Sequence, residues 1–144
     1  MNEEKTTKTK KTKPQKTRIM ATGRRKEATA RVQLILEGKG RFFINGKKWD
    51  KYFTTHLHKL LITEPLEKAK LSDKVDVKAS VRGGGITGQA GAIRLGLARS
   101  IVEYDHTLRS PFKKAKFLTR DPRAKERKKY GRKGARRRFQ WTKR

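Results

Sequence analysis

The chain has 144 residues, with 41 Lys and Arg against 13 Asp and Glu, a formal charge of +28 and no cysteine. That length suits one domain with one small core, and the lack of cysteine excludes disulfides and thiolate metal sites and fits a reducing compartment. A free chain this basic binds nucleic acid indiscriminately, so its ordinary state is a complex in which phosphates neutralise it; the competing polyanion, a membrane, is disfavoured because no stretch approaches the roughly 18 apolar residues of a span.

Residues 1–18, MNEEKTTKTKKTKPQKTR, offer almost no apolar surface to offset the entropy of ordering them, which predicts a disordered basic extension. They lack the apolar middle of a secretory signal, and they are Lys-rich with Glu3 and Glu4, unlike an Arg- and Ser-rich transit peptide. A globular domain is expected over 19–119 and a basic arm over 120–144. Thr22-Gly23-Arg24-Arg25-Lys26 reads as a polar loop whose adjacent cations, Arg24, Arg25 and Lys26, suit clamping a nucleic-acid backbone.

Thr29 to Leu36 places Ala30, Val32, Leu34 and Leu36 on one face of a half-buried strand. Glu37-Gly38-Lys39-Gly40 then turns the chain into a second strand, Arg41 to Ile44, which predicts an antiparallel hairpin, and Asn45-Gly46 signals a further turn. Trp49, Tyr52 and Phe53 fit a helical turn, and Leu57, Leu60 and Leu61 fit a second helix that Pro65 should terminate; all six are expected in the core. Lys74 to Val81 alternates again, with Val75, Val77, Ala79 and Val81 on one side, and runs into Gly83-Gly84-Gly85. Beyond the glycines, Ala90, Ile93, Leu97, Ile101 and Tyr104 mark an amphipathic helix with Thr87 as its expected cap, and Leu108 to Leu118 adds a short helix. Pattern alone therefore yields three strands.

Gly83, Gly85 and Gly88 also satisfy G-x-G-x-x-G between a strand and a helix. A dinucleotide fold needs a second parallel strand after that helix, and here polar, basic sequence follows instead. The preferred reading is a tight turn in which Gly83, Gly84 and Gly85 allow positive φ and close packing. Phosphate binding is compatible with it, because helix-start amides beside Arg82 and Arg94 form an anion site, better suited in this chain to RNA than to a cofactor. His56 and His58 are the only close histidine pair, with no partner to complete a metal site, and no serine, histidine and acid combine into a catalytic set. Neither an enzyme nor a cofactor is expected.

From Arg109 to Arg144, 17 Lys and Arg face two acids, Asp121 and Glu126, with too few apolar residues for a core. Cations at Arg120, Arg123, Arg127, Lys128 and Lys129 continue through Arg132, Lys133, Arg136, Arg137 and Arg138, interrupted by the helix-breaking Gly131 and Gly134. Such residues attract phosphates with release of counterions, while the interleaved Tyr130, Phe139 and Trp141 can stack on unpaired bases. Fully extended, the 24 residues from Asp121 to Arg144 would reach about 80 Å.

TGRRKEATARV (22–32), GKGRFFING (38–46), VRGGGITGQAGAIRLGLARS (81–100) and LTRDPRAKERKKYGRKGARRRFQWTKR (118–144) together resemble the bacterial-type ninth protein of the small ribosomal subunit. The resemblance covers nearly all of the chain beyond about residue 20. It implies a two-layer α/β domain, with a four-stranded mixed sheet covered by helices, an unusual left-handed crossover and a long extended basic C-terminal arm. It also implies a place in the head of the small subunit of a bacterial cytosolic ribosome rather than an organellar one, beside neighbouring head proteins. The body and arm would bind 16S-type ribosomal RNA, and Thr142, Lys143 and Arg144 would reach transfer RNA in the P site. Trp141 and Thr142 replace the family's commoner Phe and Ser, Phe139 stands where many members have Pro, and residues 1–18 have no counterpart in the family core. The competing readings are an architectural protein that binds nucleic acid nonspecifically and a small nucleotide-dependent enzyme using the glycine loop.

Overall fold

The computed structural model describes residues 18–143, so the extension expected to be disordered and the terminal Arg144 lie outside the described residues, apart from Arg18. Arg18 opens β1 (Arg18–Arg25), which pairs antiparallel with β2 (Ala28–Ile35) along its whole length, from Arg18 opposite Ile35 to Arg25 opposite Ala28. The segment expected to be a polar loop is thus a strand; only Lys26 and Glu27 form the turn, with Lys26 in the left-handed region at φ 50°. Ile19, Ala21 and Gly23 supply its inward face, a signal too weak in bulk to register beside Arg24 and Arg25.

After a docked loop the chain forms β3 (Phe42–Ile44) and β4 (Lys47–Lys48), joined at Asn45-Gly46, where both residues take the positive φ that such a turn demands. Two short helices, α1 (Trp49–Tyr52) and α2 (His56–Lys68), lead to β5 (Asp76–Arg82), which inserts between β2 and β3. The sheet therefore has five strands in the order β1-β2-β5-β3-β4, not four, the fifth being the two-residue β4. β2 and β3 form no hairpin: β5 is antiparallel to β2 and parallel to β3, so Glu37–Gly40 is the start of a crossover. Sequence proximity suggested the hairpin, but Val77, Ala79 and Val81 are buried between the two strands and fill the gap.

α3 (Ile86–Tyr104) crosses β1 and β2 with α2 beside it, and a 3-10 turn (His106–Leu108) and α4 (Arg109–Lys114) follow. Its buried stripe includes Ala90, Ile93, Leu97 and Ile101, whereas Tyr104 is half exposed and Gly85, not Thr87, is the N-cap residue. The core joins these to Val32, Leu34, Ile44, Phe53, Ile62, Val77 and Phe112. Leu57 and Leu60, expected inside, face solvent; α2 turns Ile62, Pro65 and Leu66 inward instead. Pro65 does not end α2, because it sits one turn from the end, where its carbonyl accepts from Ala69 N and the helix closes by itself.

The buried Asp76 fixes the loop before β3. Its Oδ1 accepts from Lys39 N at 2.8 Å and Arg41 N at 3.0 Å, and its Oδ2 from Arg41 Nη2 at 2.7 Å and Nε at 3.1 Å. Burial opposes the charge on Asp76, but the Arg41 guanidinium and the two backbone amides outweigh it and hold the carboxyl at about 2. A folded-state value below the ordinary one contributes stability that is present above about pH 4 and lost as pH falls toward 2. Asp76→Asn should therefore cost roughly 2 kcal/mol at pH 7, with the gap to wild type closing between pH 4 and 2. Urea unfolding at both pH values measures this, and an equal gap at pH 7 and pH 2.5 would contradict it.

Candidate nucleic-acid interface

β1 and β5 run the same way, so their C-terminal ends, the β1–β2 turn and the start of α3 share one end of the sheet. Gly83 and Gly84 take φ of 72° and 63°, and Gly84 stacks directly on Ala28. A side chain at either would be strained, and at Gly83 it would lie 2.5 Å from the Glu27 carbonyl oxygen. The glycines thus let the strand-to-helix turn pack on the β1–β2 turn, placing Lys26 and Arg82 beside Gly83, Gly84 and Gly85. Among the described residues no strand follows α3, so the second half of a dinucleotide fold is absent.

Arg94 does not join this turn. It lies two turns along α3, where Nη2 pairs with Glu64 of α2 at 3.0 Å and the guanidinium stacks 4.7 Å from the Phe117 ring centre. The structure brings it instead to Arg24, Arg25, Arg120 and Arg123, around a groove of about 350 Å³ between β1, α3 and the start of the arm. Arg25 reaches the groove across Gly91, where an added Cβ would overlap its Cδ. Lys116 also lines the groove, and Arg99, bonded to the Thr22 carbonyl at 2.8 Å, extends the basic belt into an adjoining hollow with Arg24 and Arg120. Neither Lys116 nor Arg99 stood out in sequence; the helical spacing of Arg99 from Leu95, which lines both hollows, is the signal that was there.

One acid organises the belt. Asp121 accepts from Arg123 N, Nε and Nη2 at 3.1, 3.0 and 2.8 Å and from Arg25 Nη2 at 3.2 Å. The Arg123 hydrogen bonds, with Arg25 adding attraction, hold its carboxyl well below the usual range. Arg25 and Asp121 thereby tie the end of β1 to the root of the arm.

Beyond Lys114 the chain up to Lys143 has no helix or strand. It is not uniformly extended: Glu126 pairs with Arg136 at 3.0 Å and with Lys129 at 3.6 Å, and Lys133 N donates to Arg137 O at 2.9 Å, which loops residues 126–137. Arg127, Lys128, Arg132, Lys133, Arg137 and Arg138 are carried on or beside this loop. Tyr130 is fully exposed, Trp141 is 80% exposed, and Phe139 is exposed with Lys133 Nζ 5.6 Å above its ring. Thr142 and Lys143 end the described chain in solvent. His58, by contrast, is internal glue, with Nε2 3.2 Å from Thr87 Oγ1. No group of three His, Cys, Asp or Glu that could hold a metal occurs among the described residues.

The family model described as ribosomal protein S9/S16 matches residues 23–144, which takes in the end of β1, the other four strands, the groove and the whole arm. The chain belongs to that family. Over 125 residues it is 52% identical to the small ribosomal subunit protein uS9 of Anaeromyxobacter sp. (strain K), covering 87% of this chain and 95% of that one. It is 50% identical over 131 residues to the protein of the same name from Methylacidiphilum infernorum (isolate V4), covering 91% and 96%. The β1–β2 turn, the Gly83–Gly85 turn and the arm root all fall inside the matched region.

Proposed function

We propose that this chain is a structural constituent of the head of the small ribosomal subunit in a bacterial cytosol, where it binds 16S-type ribosomal RNA beside neighbouring head proteins. The observation that carries the reading is the basic belt at one end of the sheet, continuous with an arm whose aromatic side chains are bare. Arg24, Arg25, Arg120 and Arg123 meet phosphates at the groove, Lys26, Arg82 and the Gly83–Gly85 turn meet them at the sheet end, and Arg94 supports the groove wall through Glu64 and Phe117. Along the arm, Arg127 to Arg138 neutralise the RNA backbone, while Tyr130 and Phe139 stack on unpaired bases. A nucleotide-dependent enzyme loses its support with the missing strand after α3, and a purely nonspecific binder has no use for a rigid root that sets the arm's direction.

The tip, Thr142, Lys143 and Arg144, reaches transfer RNA in the P site. Deleting these three residues should leave assembly intact, because the groove and the loop at 126–137 remain. P-site transfer-RNA affinity, measured on purified subunits at several salt concentrations, should fall modestly, and its slope of log K against log salt should flatten by about 1 to 2 for the two lost cations. Unchanged affinity and slope would remove the transfer-RNA role, while failure to assemble would make the tip an anchor for ribosomal RNA.

A further inference from the structure

Every contact assigned so far lies at one end of the sheet or on the arm, yet one face of the sheet has no helix on it. α3 and α2 cover the face that carries Ala30, Val32, Leu34, Val77, Ala79 and Val81. The residues of opposite parity point away from them, and the pairing register sets them in rows. Met20, Gln33, Lys78 and Phe43 form one row across β1, β2, β5 and β3. Thr22, Arg31 and Ser80 form the next, and Arg24, Thr29 and Arg82 the third.

These rows contain no acid. The single carboxylate of outward parity within the strands, Asp76, sits at the first position of β5 and is consumed by Arg41 and two backbone amides. Arg31 and Lys78 are exposed and, among the described residues, have no acidic partner. Between them lies a shallow hollow of about 620 Å³, floored by Val32 and Ala79 and edged by Met20, Gln33 and Ser80. An exposed sheet face on an ordinary domain mixes both signs of charge. Here Arg24, Arg31, Lys78 and Arg82 stand on the exposed rows with no acid among them, and Arg31 and Lys78 flank the apolar floor of the hollow with Thr22, Gln33 and Ser80 beside them.

We propose that this open face is a second RNA-binding surface, which takes a phosphodiester backbone across Arg31 and Lys78 and leaves the chain held between two RNA segments. It goes beyond the assignment of the groove and arm and rests on that reading only for the kind of polymer bound. Long cationic side chains over a flat sheet make contacts to phosphate, so the surface adds affinity and orientation without base preference.

The test uses the full chain and protein-free small-subunit ribosomal RNA, with binding measured across a salt series. Arg31→Ala with Lys78→Ala should flatten log K against log salt by about 1.5, since each lost phosphate contact contributes about 0.7 to 0.9. Lys51→Ala with Lys114→Ala, an equal charge loss away from this face, should leave the slope unchanged. Both side chains of the first pair are exposed, so its melting curve should match wild type. Lys78 should also be shielded from acetylation by RNA alone. Equal slopes for the two pairs, or Lys78 modified at the free-protein rate while Lys128 and Lys129 are shielded, would overturn the second surface and leave the groove and arm intact. Shielding of Lys78 only in complete subunits would assign the face to an acidic protein neighbour and overturn it likewise. A wild-type chain that fails to bind the RNA at all would remove the ribosomal reading and this surface together.

Discussion

Gly23→Val should leave the full-length protein without a cooperative melting transition. β1 is an edge strand, and α3 lies against its backbone: a Cβ at Gly23 would overlap the Ala92 carbonyl oxygen and stand 2.5 Å from the Gly96 nitrogen. The facing Gly96 is also confined, though less, since its Cβ would be 2.8 Å from Val32 Cγ2 and 3.1 Å from the Gly23 nitrogen. The obstacles at Gly23 are main-chain atoms, which cannot rotate aside, so any side chain there must separate strand from helix. That opens the layer in which Val32, Ile93 and Leu97 are buried. Alanine should cost about 3 kcal/mol or more, a large part of the 5 to 15 kcal/mol typical of a domain, and valine should exceed what remains. Far-UV circular dichroism and thermal unfolding measure both variants. A Gly23→Ala protein melting within a few degrees of wild type would mean that β1 and α3 are not in backbone contact.

This contact also explains what the sequence hid. Periodicity exposed α3, because Ile93, Leu97 and Ile101 repeat at helical spacing, and it exposed β2 and β5, because their valines and alanines alternate. It missed β1, whose inward positions are Ile19, Ala21, Gly23 and Arg25: the close approach of α3 requires a glycine, and Arg25 must run across Gly91 to Asp121. Smallness there is a packing requirement that a hydrophobicity pattern cannot register. The hairpin assigned to Glu37–Gly40 failed for a different reason, since nothing local says that a strand 40 residues later will insert between its arms. Helix α2 misled through composition, as its true buried stripe includes the half-buried His58 and the buried Pro65.

Of the candidate interface, the cations were legible one cluster at a time, but their grouping was not. Arg24 and Arg25 meet Arg120 and Arg123 only because β1 ends where the arm begins, and Arg94 leaves the glycine turn because helical rise carries it about 12 Å along α3. Asp121 gave a readable clue: an isolated acid among many cations is placed to be bonded by several of them.

The arm carries the second large effect. A chain ending at Leu118 loses 13 Lys and Arg and two acids, while Phe112, Phe117 and the rest of the core are retained. Its melting temperature should change by no more than a few degrees, because the Arg25–Asp121 tie is partly solvated. Its affinity for small-subunit ribosomal RNA should fall on the order of 1000-fold at physiological salt, and the salt slope should drop by about 5 if half of the lost cations meet phosphates. Filter binding across a salt series reads both quantities. A loss below tenfold would place RNA binding in the body and reduce the arm to a solvated tail.

The most direct measurement of the ribosomal assignment is sedimentation of the tagged full-length chain, expressed in a bacterial cell, through a cushion at about 0.5 M salt, where contacts that rest on charge alone have dissociated. A structural constituent of the small subunit pellets with it in stoichiometric amount and is absent from the large subunit. A chain left at the top of the cushion, or spread over every RNA-containing fraction, would contradict the assignment and return the protein to nonspecific nucleic-acid binding.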